Sequence, residues 1–397
     1  MPIEIDATYR VLTPLFCAGT DPNRAELRLP SFKGMLRFWW RALAWARLDG
    51  DLGAIQQQED ELFGSASGGQ SRVVLRAKEP PTASQVNAGD VLRIAPNRPV
   101  VGEGARYLGY GVMEAFANSK KNTKAGQLTR ACLRAPFDFT VQLRGRDLDS
   151  EAVSSLTEAL KAVGLLGGMG AKSRKGYGAL VLRSLRVAGE ETWFAPASLE
   201  ELRAAIARLG GDAQPEGVPE FTALSSKARH VLLTSDKQDP VEILDLVGRE
   251  LVRYRSWGHN GKVLGADSEK NFKDDHDLMK KAKENRKQHP RRIAFGLPHN
   301  YGKPKDQQVG PHDKQLDRRA SPLFIHIHEC GGTPVAVLSF LPARFLPKGR
   351  SDISVGGTKI EQTPEDDLYM PIHDFLDRLL DSNRRREPFT RAEEVGR

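Results

Sequence analysis

At 397 residues, with 39% of them hydrophobic and a mean hydropathy of -0.46, the chain is long enough for two globular domains and has no apolar run near the ~20 residues that cross a bilayer. Its three cysteines, Cys17, Cys132 and Cys330, are odd in number, widely spaced and without a CxxC, which argues against a disulfide framework or a zinc knuckle. A net charge of +8 and a pI near 9.3 suit a polyanion partner without demanding one, so where the charges fall matters more than their sum.

The opening MPIEIDATYRV has no charged segment followed by an apolar stretch, so no signal peptide is read and a cytoplasmic location is expected. Ile3–Phe16 reads as an extended segment closing at Thr13-Pro14, and Ser31 as the cap of a helix running to about Leu48. Arg72–Leu75 is a short strand; Val91–Ala95 pairs with it or belongs to an excursion whose polar stretch, Asn118–Gln127, is an exposed loop. Phe137–Leu143 is β-rich, Asp149–Val163 a helix and Tyr177–Val187 a strand. That succession, βαββαβ, is the order of a ferredoxin-like fold. The first domain is placed at 1–209 and a Gly/Pro-rich linker at 210–220.

In the second half, 221–383, Arg229–Thr234 reads as a strand, Pro240–Tyr254 as an amphipathic helix opened by Asp239, and Pro322–His328 with Val335–Phe340 as a strand pair. A second, more decorated copy of the fold is expected, with one internal echo: each half has a helix followed by Phe-Gly, at Phe63-Gly64 and Phe295-Gly296. An insertion near 268–317 begins with a segment too polar to bury a face, and 384–397 reads as a frayed tail. The fold class is therefore α+β, with two ferredoxin-like domains carrying insertions.

Two stretches carry chemistry. On a helical wheel Lys33, Arg37 and Arg41 fall within about 80° of one another, opposite Phe32, Leu36, Trp39 and Leu43. The aromatics are explained by packing, and Trp39 is expected in the core. Three cations one turn apart repel and have no acid at i±4, so an anion is expected beside them. Ser31 and Gly34, at the helix start, suit the close approach of a phosphate. The second stretch, GLLGGMGAKSRKGYGAL at 164–180, sets Lys172, Ser173, Arg174 and Lys175 among Gly168, Gly170 and Gly176, with no acid. Glycines let backbone N–H groups turn toward a ligand, and the cations attract a polyanion. The spacing is neither a Walker loop nor a Rossmann fingerprint. In a ferredoxin-like order the loop and the stripe are expected to form one surface.

The combination of LTPLF at 12–16, LRLPSFKGMLRFWWRAL at 27–43, LFGS at 62–65, GGMGAKSRKGYG at 167–178 and RRASPLFIHIH at 318–328 resembles the RAMP superfamily. More narrowly it is similar to the first Cmr subunit of type III-B CRISPR effector complexes. The resemblance implies two ferredoxin-like RAMP domains in a ribonucleoprotein of antiviral defence. It also implies a place near the guide RNA 3′ end, beside the sixth Cmr subunit and the repeated backbone subunit, where the chain helps capture target RNA. Ser31, Lys33, Gly34, Arg37 and Arg41 match the family's basic first helix, and 167–178 its glycine-rich loop. Arg318 and Arg319 are a candidate second patch for RNA.

All nine histidines lie at or after His230, which leaves the first domain without an imidazole for acid-base work. His326 and His328 alternate on a strand near Cys330 and are read as sheet filling, and Asp274, Asp275 and Asp277 as solvated; neither group is assigned a metal, and no cofactor is expected. The reading is a non-catalytic RNA-binding subunit. Two alternatives stay open from the residues alone: an endoribonuclease acting on guide-precursor or target RNA, and a scaffold that touches only protein.

Overall fold

The computed structural model describes residues 3–66, 68–79, 81–210, 215–302 and 307–396. Residues 211–214 of the expected linker and 303–306 of the expected insertion lie outside the described residues.

Strand β1 (Ile3–Val11) buries every second residue, so Ile5, Ala7, Tyr9 and Val11 form one apolar row. Helix α1 (Leu29–Arg47) follows, then α2 (Leu52–Phe63), whose first N–H groups are capped by the Asp51 carboxylate, and β2 (Val73–Ala77). An excursion contains the short helix α3 (Glu103–Leu108). Strand β3 (Phe137–Gly145), helix α4 (Ser150–Leu166, capped by Asp149), β4 (Leu180–Val187) and β5 (Glu190–Phe194) complete the first sheet, ordered β2-β3-β1-β4-β5 and antiparallel throughout. Helices α1 and α4 lie together on it. Two buried hydrogen bonds tie this layer together: Trp40 Nε1 of α1 donates to Ser155 Oγ of α4 at 3.0 Å, and Tyr9 Oη of β1 donates to the Leu160 carbonyl at 2.8 Å.

After α5 (Leu199–Ala207), the second half repeats the plan with β6 (Arg229–Ser235), α6 (Pro240–Arg255), α7 (Lys273–Lys280), β7 (Leu323–Cys330), β8 (Thr333–Phe340), α8 (Met370–Leu380) and β9 (Phe389–Glu394). Its sheet is ordered β7-β8-β6-β9, again antiparallel. Strand for strand this is the order β2-β3-β1-β4 of the first sheet, so both halves are ferredoxin-like, as the alternation of elements implied.

Three expectations are corrected. Ser31 is not the cap of α1: the helix starts at Leu29 with Pro30 in its first turn, Arg28 is the N-cap residue, and Ser31 sits inside. The segment 384–397 is not a frayed tail, because Phe389–Glu394 pairs with β6 and closes the second sheet. The polar stretch 268–292 does bury a face: Phe272, Leu278 and Met279 enter the core, and Asp275 is buried where its carboxylate accepts from the Arg291 and Arg292 backbone N–H groups at 2.7 and 2.9 Å. Asp275, expected in solvent, is thus a cap for the turn at 291–295, while Asp277 pairs with Lys273.

Candidate nucleic-acid interface

The basic stripe finds its anion inside the chain. Glu59 of α2, only 5% exposed, lies 2.8 Å from Arg37 Nη2 and 3.4 Å from Arg41 Nη1, and it also accepts from Arg37 Nε at 2.8 Å. Lys33 donates to Ser71 Oγ at 2.9 Å, and partial burial beside Arg37 lowers its ammonium from the ordinary lysine value. Gly34 faces open space, so a larger residue would meet nothing there. The expectation that the stripe and the glycine loop form one surface holds only at Arg41, which lines a cavity with Arg174; Lys33 turns to Ser71 and Arg37 to Glu59, and a different face of α1 meets the loop.

That face carries Ser31, Met35, Phe38 and Trp39. Together with Gly168, Gly170, Ser173 and Arg174 of the loop, and Phe324 of β7, they line a cavity of about 420 Å³. A second cavity of about 530 Å³ shares Phe38 and Arg174 with the first and continues past Arg41, Arg318, Arg319 and Arg344. The two form one groove with an aromatic floor and an arginine-rich far end, walled by both halves. Trp39 is buried, as expected, and packs on Phe324 with ring centroids 5.8 Å apart.

The loop is held by the chain on both sides. Gly170 has φ +85°, and a side chain there would come within 2.5 Å of the Phe16 carbonyl, so the loop crosses the LTPLF segment as bare backbone. The Arg174 carbonyl accepts from Ile325 N–H at 3.0 Å, and His326 Nδ1 is 2.7 Å from the Gly167 carbonyl. Arg174 itself is a strut. Its guanidinium lies over Phe324 at 4.6 Å and Phe38 at 5.2 Å, and donates to the Ser321 carbonyl at 3.2 Å. Burial and the neighbouring Arg319 pull it down to about 10. Gly176 accepts from Thr13 Oγ1 at 2.7 Å, while Lys172 and Lys175 face a different cavity.

Arg318 is exposed; Arg319 is partly buried, with its Nε and one terminal nitrogen unpartnered. Among the described residues neither these two nor Arg174 pairs with a carboxylate, whereas Arg344 beside them is bound to Glu220 at 2.8 Å. Cations that lack an acid at one end of an aromatic groove are suited to phosphates below and bases or riboses above. The sequence reading missed Phe38 and Phe324: in Phe38-Trp39-Trp40 nothing distinguishes an aromatic that walls a groove from one that fills a core.

His326 and His328 are both buried, their facing ring nitrogens 3.4 Å apart, against α4 and the loop. Burial holds His326 down at about 4, and burial together with the neighbouring His326 holds His328 well below the ordinary histidine value. Among the described residues no three His, Cys, Asp or Glu side chains are grouped to hold a metal ion, and no helix is long and apolar enough to cross a membrane.

Residues 8–181 match the family model of the RAMP superfamily. Over 185 residues the chain is 30% identical to the CRISPR system Cmr subunit Cmr1-2 of Pyrococcus furiosus, an alignment covering 44% of this chain and 92% of that protein. The crystal structure of Cmr1 from Pyrococcus furiosus in its apo form shares the fold, with a TM-score of 0.51 at 19% identity over 100% of this chain and 99% of that one. A chain of the type III-B Cmr-beta complex bound to cognate target RNA aligns over 94% of this chain and 100% of its own length, at 11% identity and a TM-score of 0.48. The double ferredoxin-like order, the glycine loop between the halves and the identity to Cmr1-2 agree: the chain belongs to the RAMP superfamily, in its Cmr1 family.

Proposed function

We propose that this chain is a non-catalytic RNA-binding subunit of a type III-B Cmr effector complex, holding guide and target RNA by their backbones in the groove between its two RAMP domains, whose division we place at 210–220. The observation that carries this reading is the groove itself, where Arg174, Arg318 and Arg319 stand without carboxylates beside Phe38 and Phe324. Backbone contact of this kind is independent of base sequence. Membership in the Cmr1 family supports the setting: a cytoplasmic ribonucleoprotein in which the subunit sits near the guide 3′ end, against the sixth Cmr subunit and the repeated backbone subunit. The groove linings include no histidine and one carboxylate, Glu220, which Arg344 already holds. That lining favours gripping over acid-base cleavage.

Within the proposed site, Ser31, Gly168, Gly170, Ser173, Arg174, Arg41, Arg318 and Arg319 touch RNA, whereas Lys33 and Arg37 support α1 from behind. Fluorescence anisotropy with single-stranded RNA tests this. Arg318→Ala with Arg319→Ala lowers affinity for every sequence and reduces the slope of log K against log salt by about 1.4, two phosphates at about 0.7 each. A folded double variant with unchanged affinity and slope removes the groove from RNA binding.

A further inference from the structure

The glycine loop divides its cations. Arg174 serves the groove, but Lys172 and Lys175 line a separate cavity of about 640 Å³ whose walls come from three distant segments. The excursion supplies Tyr107, Tyr110 and Phe116, the end of α6 supplies Arg255, and the insertion supplies His299. The Lys175 ammonium nitrogen is sealed from solvent and has no hydrogen-bond partner, and the same holds for Arg255 Nε and His299 Nε2. The remaining contacts of Arg255 are uncharged: one terminal nitrogen donates to Tyr107 Oη at 3.1 Å, and the guanidinium lies over Phe295 at 4.7 Å. Glu114 also lines the cavity, yet among the described residues it pairs with none of these cations.

Buried cations without counter-charge are costly, and a chain keeps them where something anionic relieves the cost. Burial, then Arg255, Lys172 and Arg174, press the Lys175 ammonium down to about 7. An adjacent anion reverses that pressure. The rim has the opposite character: Tyr110 is 72% exposed and Phe116 69%, two of the three exposed aromatic rings among the described residues. A cationic interior beneath bare aromatic faces matches a phosphate joined to a flat heterocycle.

We propose that this cavity is a nucleotide site, taking a phosphate on Lys172, Lys175 and Arg255 and a base against Tyr110 and Phe116. The site goes beyond the groove and stands without it. The same chemistry is offered by a free mononucleotide and by the terminal nucleotide of an RNA strand.

Calorimetric titration of the full chain with adenosine 5′-monophosphate, adenosine and inorganic phosphate tests the proposal. The monophosphate binds saturably and the other two at least about tenfold more weakly, as expected when a charge-assisted contact and a stacked ring act together. Lys175→Met, which removes a charge that has no partner to lose, weakens the monophosphate at least about tenfold and leaves adenosine unchanged. Tyr110→Ser, at an exposed position that folding does not depend on, weakens monophosphate and adenosine alike. A short RNA with a terminal phosphate that displaces the monophosphate identifies a strand end as the ligand; one that does not identifies the free nucleotide, and the site stands either way. Absence of saturable monophosphate binding overturns the proposal. So does monophosphate binding that ignores Lys175→Met and Tyr110→Ser but is lost with Arg318→Ala and Arg319→Ala, which returns the nucleotide to the groove. RNA affinity indifferent to the arginine changes while the monophosphate still answers to Lys175 refutes the groove alone.

Discussion

Around Glu59, one buried carboxylate serves two arginines, and taking any member away leaves the others poorly compensated. Arg37→Ala is accordingly expected to cost about 1–3 kcal/mol of stability while RNA affinity stays within about twofold. Urea denaturation together with RNA anisotropy checks both parts, and a stable variant with weakened RNA binding returns Arg37 to the RNA surface. His326 and His328 give the residue-scale pH dependence. Both are held neutral in the folded chain, His326 at about 4, whereas in the unfolded chain they titrate near 6.5. Below pH ~6.5 the unfolded chain therefore binds protons that the folded chain refuses, so the stability is complete above that pH and falls as the pH drops toward ~4, by at most about 1.4 kcal/mol per pH unit for each histidine. Denaturation midpoints measured at pH 7, 6 and 5 show this slope, and His326→Gln lessens it. A midpoint unchanged over that range contradicts the burial of the pair.

Among the elements, close approach of backbone decides where glycine is required. Helices α3 and α6 touch at Gly104 and Gly248, where an added side-chain carbon on either one would strike the other's backbone, and Ala105 N–H donates to Asp245 Oδ1 at 2.9 Å across the same contact. Gly248→Val is expected to detach the excursion from α6 and destabilise the chain by more than about 2 kcal/mol. Faster hydrogen exchange over 100–115 with an unaltered N-terminal sheet is the signature that checks it. At Gly170 both the left-handed backbone and the Phe16 carbonyl exclude a side chain, so Gly170→Ala costs about 1–3 kcal/mol and loosens the loop that walls the groove. Thermal denaturation measures the cost. These contacts were invisible in the sequence because a glycine in a helix and a glycine in a loop look the same until the neighbouring segment is in place.

For the molecule as a whole, the two sheets do not stand apart. One apolar core takes Leu12, Phe16 and Tyr177 from the first half together with Leu244, Ile325 and Phe375 from the second. The loop is tied to β7 through the Arg174 carbonyl and through His326, and Tyr177 Oη donates to the Ala105 carbonyl at 2.7 Å. A shared core makes unfolding cooperative, so calorimetry is expected to show one transition for the chain. Two separate transitions refute the shared core.

The local signals in the chain were enough for the first βαββαβ succession and for the βαββ start of the second: alternating apolar residues in Ile3–Val11, the Asp149 and Asp239 caps and the β-rich runs at 137 and 323 act within a few residues of themselves. The glycine loop and the basic helix were legible as well, because composition at close spacing is a local property. What folding alone decided is which charges stay free. Glu59 neutralises Arg37, Asp275 turns inward to cap a distant turn, Phe389–Glu394 becomes the edge strand beside β6, and Arg174, Lys175 and Arg319 are left without acids. Pairing of charges depends on distances of a few ångströms between segments far apart in sequence, and Coulomb energy falls with separation in space, whatever the separation along the chain.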